Sequence, residues 1–428
     1  MQIQIISIGD ELLMGDTVNT NASWMGQFFA DHGAEVSRVY TVGDDTAHIR
    51  ETVTAAMDDA NLVITTGGLG PTHDDITKTT IADMFEAEME IHEPTLEFVK
   101  SIFEKRNIPF SKSNYDQVRV PENCDVLFNK KGTAPGMWFE EEGTFLAVLP
   151  GIPREMKALI RYQVLPRIQE RTNGIDRSFA RHIKVAGIGE STLSDEYLAE
   201  VGPYLTNNIS VAYLPSPQAN TIRVNSRAAT RKKANRKSEA LVEYIYNQLG
   251  PYIIGEGKDL TLSEATGNAL RDHSLTVAVA ESCTGGLLAN TLTDTPGSSD
   301  YMVGGVIAYA NRVKVEQLNV DSKIIREQGA VSKPVALQMA KNGAQNLDAD
   351  IGISTTGIAG PGGGTDEKPV GTVWIGFWST NAHFALKTLF TNDRLLNKER
   401  SVAVALEMVR RTVLDIETMP YGIKPHHA

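Results

Sequence analysis

The stretch TVAVAESCTGGLLANTLT constrains the fold more than any other part of this chain. A short apolar run, Val277 to Ala280, meets Glu281-Ser282-Cys283-Thr284-Gly285-Gly286 and passes into a helical pattern. Such a run reads as a buried strand, which places Ser282 at a strand-to-helix junction. The first backbone N–H groups of a helix are unpaired and can stabilise negative charge. Gly285 and Gly286 let backbone or substrate approach closely. Further on, GGVIAYANRVK ends another apolar strand with Tyr309 and Lys314, a candidate proton relay and general base. A serine nucleophile, a lysine base and an oxyanion site form a hydrolase pattern of the Ser-Lys type. A helix-capping serine with a surface lysine is the competing reading.

The chain has 428 residues, enough for roughly two to four domains with sizeable cores. Hydrophobic residues make up 41% and charged residues 22%, as in a soluble globular protein. The net charge of -12 argues against bulk binding to nucleic acid or an anionic membrane, though not against a local anion site. Two cysteines, Cys124 and Cys283, are too few for a disulfide framework and suit a reducing cytosol. The opening IQIISIGDE reads as a strand meeting Asp and Glu rather than as a leader. No apolar run approaches the ~18–20 residues of a membrane span. The expectation is a cytoplasmic protein with no membrane partner.

Strands alternate with helices over residues 1–171: IQIISIG, EVSRVYTVG, NLVITTGG and TFLAVLPG read as strands, and helices follow Asn19, Ala47 and Ile76. That alternation predicts a mostly parallel sheet covered by helices. The turn-rich RTNGIDRS breaks it, and residues 172–257 read as a small α+β module. Two amphipathic helices, over GESTLSDEYLAEVGPYL and over the segment that begins at RKKANRK, flank the strands ISVAYLP and NTIRVNSR. The basic run Arg231-Lys232-Lys233 with Arg236-Lys237 reads as a solvated helix face rather than an RNA contact. The α/β alternation returns over 258–428, with strands DIGISTTG and GTVWIGFWS and a final helix KERSVAVALEMVRRTVL. The predicted fold class is α/β: two α/β domains joined by a small α+β module.

A lysine acts as a base only when neutral, so its reference pKa of ~10.4 must fall by roughly 2–3 units. Burial of Lys314 or the nearby Arg312 would lower it. Thr356 ends the DIGISTTG strand where it meets the glycine loop that contains Gly360, and backbone N–H groups there can hold an oxyanion or phosphate. Cys283 is a rival nucleophile, but no histidine stands in the local motif to activate it, and a small core cysteine is the expected role.

AESCTGG, GGVIAYAN with Lys314, GAVS at 329–332 and TTGIAGPGGGTDEKPVGTVW strongly resemble the carboxy-terminal domain of the CinA (competence/damage-inducible) family. That domain looks like nicotinamide-nucleotide amidase (NMN deamidase). The resemblance implies hydrolysis of nicotinamide mononucleotide (NMN) to nicotinate mononucleotide and ammonia, with no metal. It implies that Ser282 attacks the carboxamide carbon and Lys314 takes the serine proton. Tyr309 would support that transfer and Thr356 would help hold the reacting group. Gly285, Gly286 and Gly360 would line the substrate site, and Arg394 would meet the substrate phosphate. One departure stands here: the family has Gly before Asp-Arg, where this chain has Asn392 before Asp393-Arg394.

In the amino-terminal part, TTGGLGPTHDD follows the strand NLVI and opens a helix. Gly67, Gly68 and Gly70, with Thr72, can bring backbone N–H groups up to a phosphate. Asp74 and Asp75 lie near that helix start, and Asp10 and Glu11 leave the first strand in the same manner. In a parallel sheet both strand ends share the ligand-binding edge. Several carboxylates beside a phosphate cradle suit a divalent metal that polarises a pyrophosphate. His73 reads equally as a ligand or a surface histidine.

The same run, with SIGDELLMGDTVNTN before it and LPGIPREM after it, resembles the molybdopterin-binding domain family, in the motif order of the CinA amino-terminal domain. The resemblance implies either pterin-phosphate binding or metal-dependent ADP-ribose pyrophosphatase activity. It makes Asp10, Glu11, Asp44, Asp74 and Asp75 candidate metal or phosphate-site residues, with Mg, Mn, Co or Ni as the ion. The middle module resembles the KH-like connector of the same family. KH domains clamp nucleic acid with a GXXG loop, and Gly187-Ile188-Gly189 is not that motif. A structural or dimer-forming role is therefore expected, in a homodimer that binds small nucleotides (NMN and ADP-ribose) and not nucleic acid. The leading expectation is a two-headed enzyme of pyridine-nucleotide salvage. The alternatives are a pterin- or nucleotide-binding protein without turnover at the amino-terminal site, and a non-enzymatic competence or damage-response factor.

Overall fold

A computed structural model describes residues 2–72, 75–171 and 177–428. The chain divides into two compact units, Met1–Ala180 with Ser226–Arg236, and Arg181–Asn225 with Lys237–Ala428.

The first unit is built on a six-stranded sheet in the order Glu35–Val42, Gln2–Ile8, Leu62–Thr66, Thr144–Leu149, Gly136–Glu141, Asp125–Leu127. The first four strands are parallel, as their apolar runs predict, and the last two turn antiparallel. Side-chain alternation along Gln2–Ile8 serves two cores. Ile3 and Ile5 pack with Met25, Phe29 and Met156. Ile6 and Ile8 pack with Ile49, Val53 and Ile81 on the other face. Burial of each such side chain contributes about 1.5–3 kcal/mol, so a one-residue slip in register would be costly. The carboxyl ends of the parallel strands therefore share one fixed edge.

In the second unit another six-stranded sheet runs Met302–Ile307, Val277–Glu281, Ile351–Gly357, Thr372–Trp378, His383–Leu389, His426–His427. Val277–Glu281 lies between two parallel neighbours, and every residue in it is buried. Val277 and Val279 join the core beneath helix Arg394–Val413, whereas Ala280 faces Val335 and Met339 of helix Lys333–Leu347. The two α/β sheets and the smaller module bear out the expected fold class.

The connector sheet has the order Ile209–Leu214, Asn220–Ala228, Arg177–Val185, Ile253–Glu256. Helix Arg231–Leu249 forms as expected, with Arg231, Lys232, Lys233, Arg236 and Lys237 exposed. The other expected helix does not form as one element. It breaks into the turns Glu190–Thr192, Leu193–Tyr197 and Ala199–Tyr204, the last with Pro203 inside it. Backbone departs from helical values at Leu198 and Glu200, and Pro203, which cannot donate to the Ala199 carbonyl, keeps the last segment from continuing as α-helix. Gly187 (φ +71°) packs where a side chain would meet Arg411 and Glu407, and its carbonyl accepts from Tyr421 N–H at 2.6 Å. Around it Glu407 forms ion pairs with Arg410 (2.5 Å) and Arg411 (2.6 Å). Arg411 also donates to the Ala186 carbonyl and Arg410 to that of Pro251, so helix Arg394–Val413 grips the connector through buried charge.

Among the described residues no helix is long and apolar enough to cross a membrane.

Candidate functional site

Strand Val277–Glu281 ends between two parallel neighbours, Met302–Ile307 and Ile351–Gly357, at the usual ligand edge of such a sheet. The Ser282 N–H donates to the Thr355 carbonyl at 2.9 Å, which continues the ladder by one residue. Alternation turns Ser282 to the same face as Ala280. Helix Asn311–Leu318 lies on that face and brings in Lys314. Lys314 Nζ stands 2.9 Å from Ser282 Oγ, 2.7 Å from the Ala308 carbonyl and 3.3 Å from the Tyr309 carbonyl. The lysine is 1% exposed and has no carboxylate among these partners. Burial lowers its pKa to about 8. Arg312 is not the cause, for it points into solvent and pairs with Glu316 at 2.7 Å. Once neutral, the amine can donate its two hydrogens to the two carbonyls, and its lone pair then faces Ser282 Oγ.

The following turn differs from its sequence reading. Gly285 (φ +63°) and Gly286 (φ +97°) adopt left-handed backbone that other residues strain to reach. Helix Leu287–Thr293 starts from Gly286, so Ser282 is not its cap. Nor does the start of that helix serve an oxyanion. The Glu281 carboxylate accepts from the N–H groups of Gly286 (2.9 Å), Leu288 (3.0 Å) and Ala289 (2.8 Å). Glu281 is 1% exposed, and these three donors solvate its charge in place of water. The Cys283 and Thr284 N–H groups follow the serine directly in the turn. Cys283 itself lies in the core, and burial pushes its thiol up to about 12. It is a packing residue, as expected.

Thr356 is buried and its hydroxyl donates to the Ala330 carbonyl at 2.8 Å. With that proton engaged, Thr356 Oγ1 can only accept, which suits an amide N–H rather than an oxyanion. The Tyr309 side chain departs from the relay role. It is 61% exposed, and its hydroxyl accepts from Arg394 at 3.1 Å. What Tyr309 gives Lys314 is its carbonyl. Arg394 also donates to the Gly360 carbonyl at 2.9 Å, which joins Tyr309, Arg394 and the glycine loop into one rim. Asn392 is accommodated: its carbonyl lies against Gly360, while Asp393 caps the helix by accepting from Leu395 and Leu396 N–H. Sequence reasoning missed Lys398. Its Nζ would stand 3.8 Å from a side chain placed on Gly285, and it follows Arg394 by one helical turn. That i, i+4 spacing was the available signal.

In the first unit, a cavity of about 470 Å³ opens at the carboxyl ends of the parallel strands. Its lining includes the Gly67–Gly70 turn, Glu11, Asp44, Asp75 and Glu155. Gly67 has φ +117°, and a side chain there would run into the Ile8 carbonyl, so both backbone and space require glycine. The phosphate-cradle reading is only partly met. Asp75 accepts from Gly70 N–H (2.7 Å), from Thr72 N–H (2.9 Å) and from the Thr72 hydroxyl, and Gly67 N–H donates to Leu149. Asp75 thus shapes the loop, and Gly68 and Leu69 line the cavity beside it. Asp10 and Asp44 each accept from the other's backbone N–H, at 3.2 and 3.1 Å. Asp74 and His73 lie outside the described residues.

Among the described residues no three His, Cys, Asp or Glu side chains group as a metal cage. A phosphate-bound divalent ion does not need one, because Mg²⁺ is held by one or two carboxylates plus substrate oxygens and water. Glu11 and Asp44, on the same cavity wall as the glycine turn, fit that donor set. Glu155, missed in the sequence, lies buried in this wall and accepts from Asn129 at 2.6 Å, and burial raises its pKa.

The comparisons with known proteins agree with this layout. Residues 4–170 match the family model described as "Probable molybdopterin binding domain", 180–255 the "Damage-inducible protein CinA KH domain", and 259–413 the "CinA C-terminal domain". The chain is 43% identical over 414 residues to a CinA-like protein of Salinibacter ruber, across 96% of this chain and 100% of that protein. It is 41% identical over 420 residues to a CinA-like protein of Chloroherpeton thalassium, across 96% and 99%. The chain belongs to the CinA family. Its amino-terminal part is a molybdopterin-binding-like domain, and the Ser282–Lys314 pair falls inside the CinA C-terminal match.

Proposed function

We propose that the carboxy-terminal domain hydrolyses the carboxamide of NMN to nicotinate mononucleotide and ammonia. The observation that carries this reading is the buried Lys314 amine 2.9 Å from Ser282 Oγ, with a pKa near 8. At pH 7 about a tenth of such amines are neutral, which is ample for a general base. Ser282 Oγ attacks the carboxamide carbon as its proton passes to Lys314. The Cys283 and Thr284 N–H groups meet the oxyanion. Lys314 returns the proton to the departing ammonia, leaving an ester on Ser282. Water, deprotonated by the same amine, then releases the acid and restores the serine. Thr356 accepts from the amide nitrogen, Tyr309 offers its exposed ring to the pyridine, and Arg394 and Lys398 meet the phosphate. No step requires a metal. Purified protein should release ammonia from NMN after treatment with a chelator, and Ser282→Ala should abolish release. Release by Ser282→Ala at the original rate would reject the reading.

A second activity is favoured by the charge of the amino-terminal cavity. Its described lining holds four carboxylates, Glu11, Asp44, Asp75 and Glu155, and no lysine, arginine or histidine. A pyrophosphate enters such a site only with a counter-cation. We infer a metal-dependent pyrophosphatase acting on ADP-ribose or a related nucleoside diphosphate derivative, in which Glu11 and Asp44 would hold the ion. The ion would supply charge neutralisation at the phosphates. Cleavage of ADP-ribose should cease on metal removal and return with Mn²⁺ or Mg²⁺. Equal rates with and without metal would reject this role. Binding without product would favour the pterin- or nucleotide-binding alternative.

A further inference from the structure

One wall of the amino-terminal cavity carries polar atoms that its own chain leaves unsatisfied. Ser7 Oγ and Asn21 Oδ1 have no hydrogen-bond partner among the described residues, and both residues line the cavity. Ser7 is 1% exposed. A buried polar atom without a partner costs about 1–3 kcal/mol, so two on one wall call for an occupant.

The two atoms belong to one patch. Alternation turns Ser7 to the same face as Ile3 and Ile5, beneath helix Thr20–Asp31, whose first turn carries Asn21. Ser7 pairs in register with Thr66 on the adjacent parallel strand. The Asn21 amide nitrogen lies 3.5 Å from Thr66 Oγ1 and donates to the Gly151 carbonyl at 2.6 Å. A carbonyl only accepts, so the nitrogen must occupy that side and Oδ1 must be the open acceptor. Thr66 gives its own proton to the Pro150 carbonyl at 3.0 Å. The patch thus offers an amide acceptor and a hydroxyl, both neutral. The Asn21 acceptor has nothing to offer an ionised phosphate, which carries acceptors of its own. The patch matches a neutral group rich in O–H donors.

We propose that Ser7 and Asn21 form a subsite for sugar hydroxyls of a ligand whose pyrophosphate lies at the glycine turn. The proposal rests on the pyrophosphate reading above and adds the residues by which the cavity selects a nucleoside diphosphate over a bare diphosphate. A sugar O–H donates to Asn21 Oδ1, and Ser7 Oγ accepts from or donates to a neighbouring hydroxyl. Water would fill the same wall in the absence of ligand.

The test is equilibrium binding by calorimetry, with the full chain in Mg²⁺ and two non-hydrolysable probes. These are α,β-methylene-ADP, which carries a ribose, and methylenediphosphonate, which does not. The wild type should bind the nucleotide more tightly. Ser7→Ala and Asn21→Ala should each weaken the nucleotide by roughly 5–30-fold, the scale of one or two lost hydrogen bonds, and leave methylenediphosphonate unchanged. Ser7→Ala removes only an unpartnered atom, so its thermal stability should not fall. Tight binding of both probes with no selective loss in either variant would leave the wall to water alone and overturn the proposal, while the pyrophosphate reading stands. No binding of either probe by the wild type would overturn both.

Discussion

Lys314 is held by two carbonyls and a serine hydroxyl, with no acid to keep it charged. The sign of its pH dependence follows. Protonated amine cannot accept from Ser282, so kcat/KM for NMN should rise about tenfold per pH unit below the transition and level off above about pH 8. A profile flat from pH 6 to 9 would contradict the lysine's role. Lys314→Arg keeps the charge but cannot lose the proton, and the rate should fall about 10²–10⁴-fold. Tyr309→Phe should behave differently. Its hydroxyl meets Arg394 and not Lys314, so KM should rise while kcat and the pH profile hold. This distinction was not legible in the sequence, because Tyr309 and Arg394 are separated by 85 positions and meet only in the fold. The serine was legible because it directly follows an apolar strand that burial fixes, and the lysine because it comes shortly after a second strand, although it stands on the helix Asn311–Leu318 that follows and not at the strand's end.

At the scale of elements, the junction Val277 to Thr293 works as a unit. Glu281 closes the helix start from within, and the serine it precedes is held on the opposite face. Glu281→Gln would set an amide N–H₂ against a backbone N–H. It should cost about 1–3 kcal/mol in unfolding free energy, read by denaturant titration. It should also lower kcat, because the turn carrying the Cys283 and Thr284 N–H groups loses its anchor. Sequence reading assigned that helix start to the oxyanion because an acid beside a serine carries no mark of which way it points. The strands around the junction were readable from their β-branched, apolar runs. The first connector helix was misread for a local reason: Gly202-Pro203 interrupts a periodic run that otherwise spells a helix. Ser7 passed unnoticed inside an apolar strand for the same kind of reason, since one hydroxyl barely alters the pattern.

At the scale of the whole molecule, the two proposed activities should separate by chemistry. A chelator should silence the carboxylate-lined cavity and spare the amidase, which draws its nucleophile from serine. Within the second unit, helix Arg394–Val413 runs from the Tyr309–Arg394 rim to the buried Glu407–Arg410–Arg411 group. Glu407→Ala leaves two buried guanidinium groups without their carboxylate and should cost about 3–5 kcal/mol, seen as a lower Tm. The central claim is a covalent serine mechanism, and the most direct measurement is intact mass spectrometry of protein acid-quenched during NMN turnover. The account predicts that the protein gains the mass of the substrate acyl group, on the peptide that contains Ser282, and that Ser282→Ala gains none. Full ammonia release with no acyl adduct at any quench time, and with Ser282→Ala equally active, would contradict it.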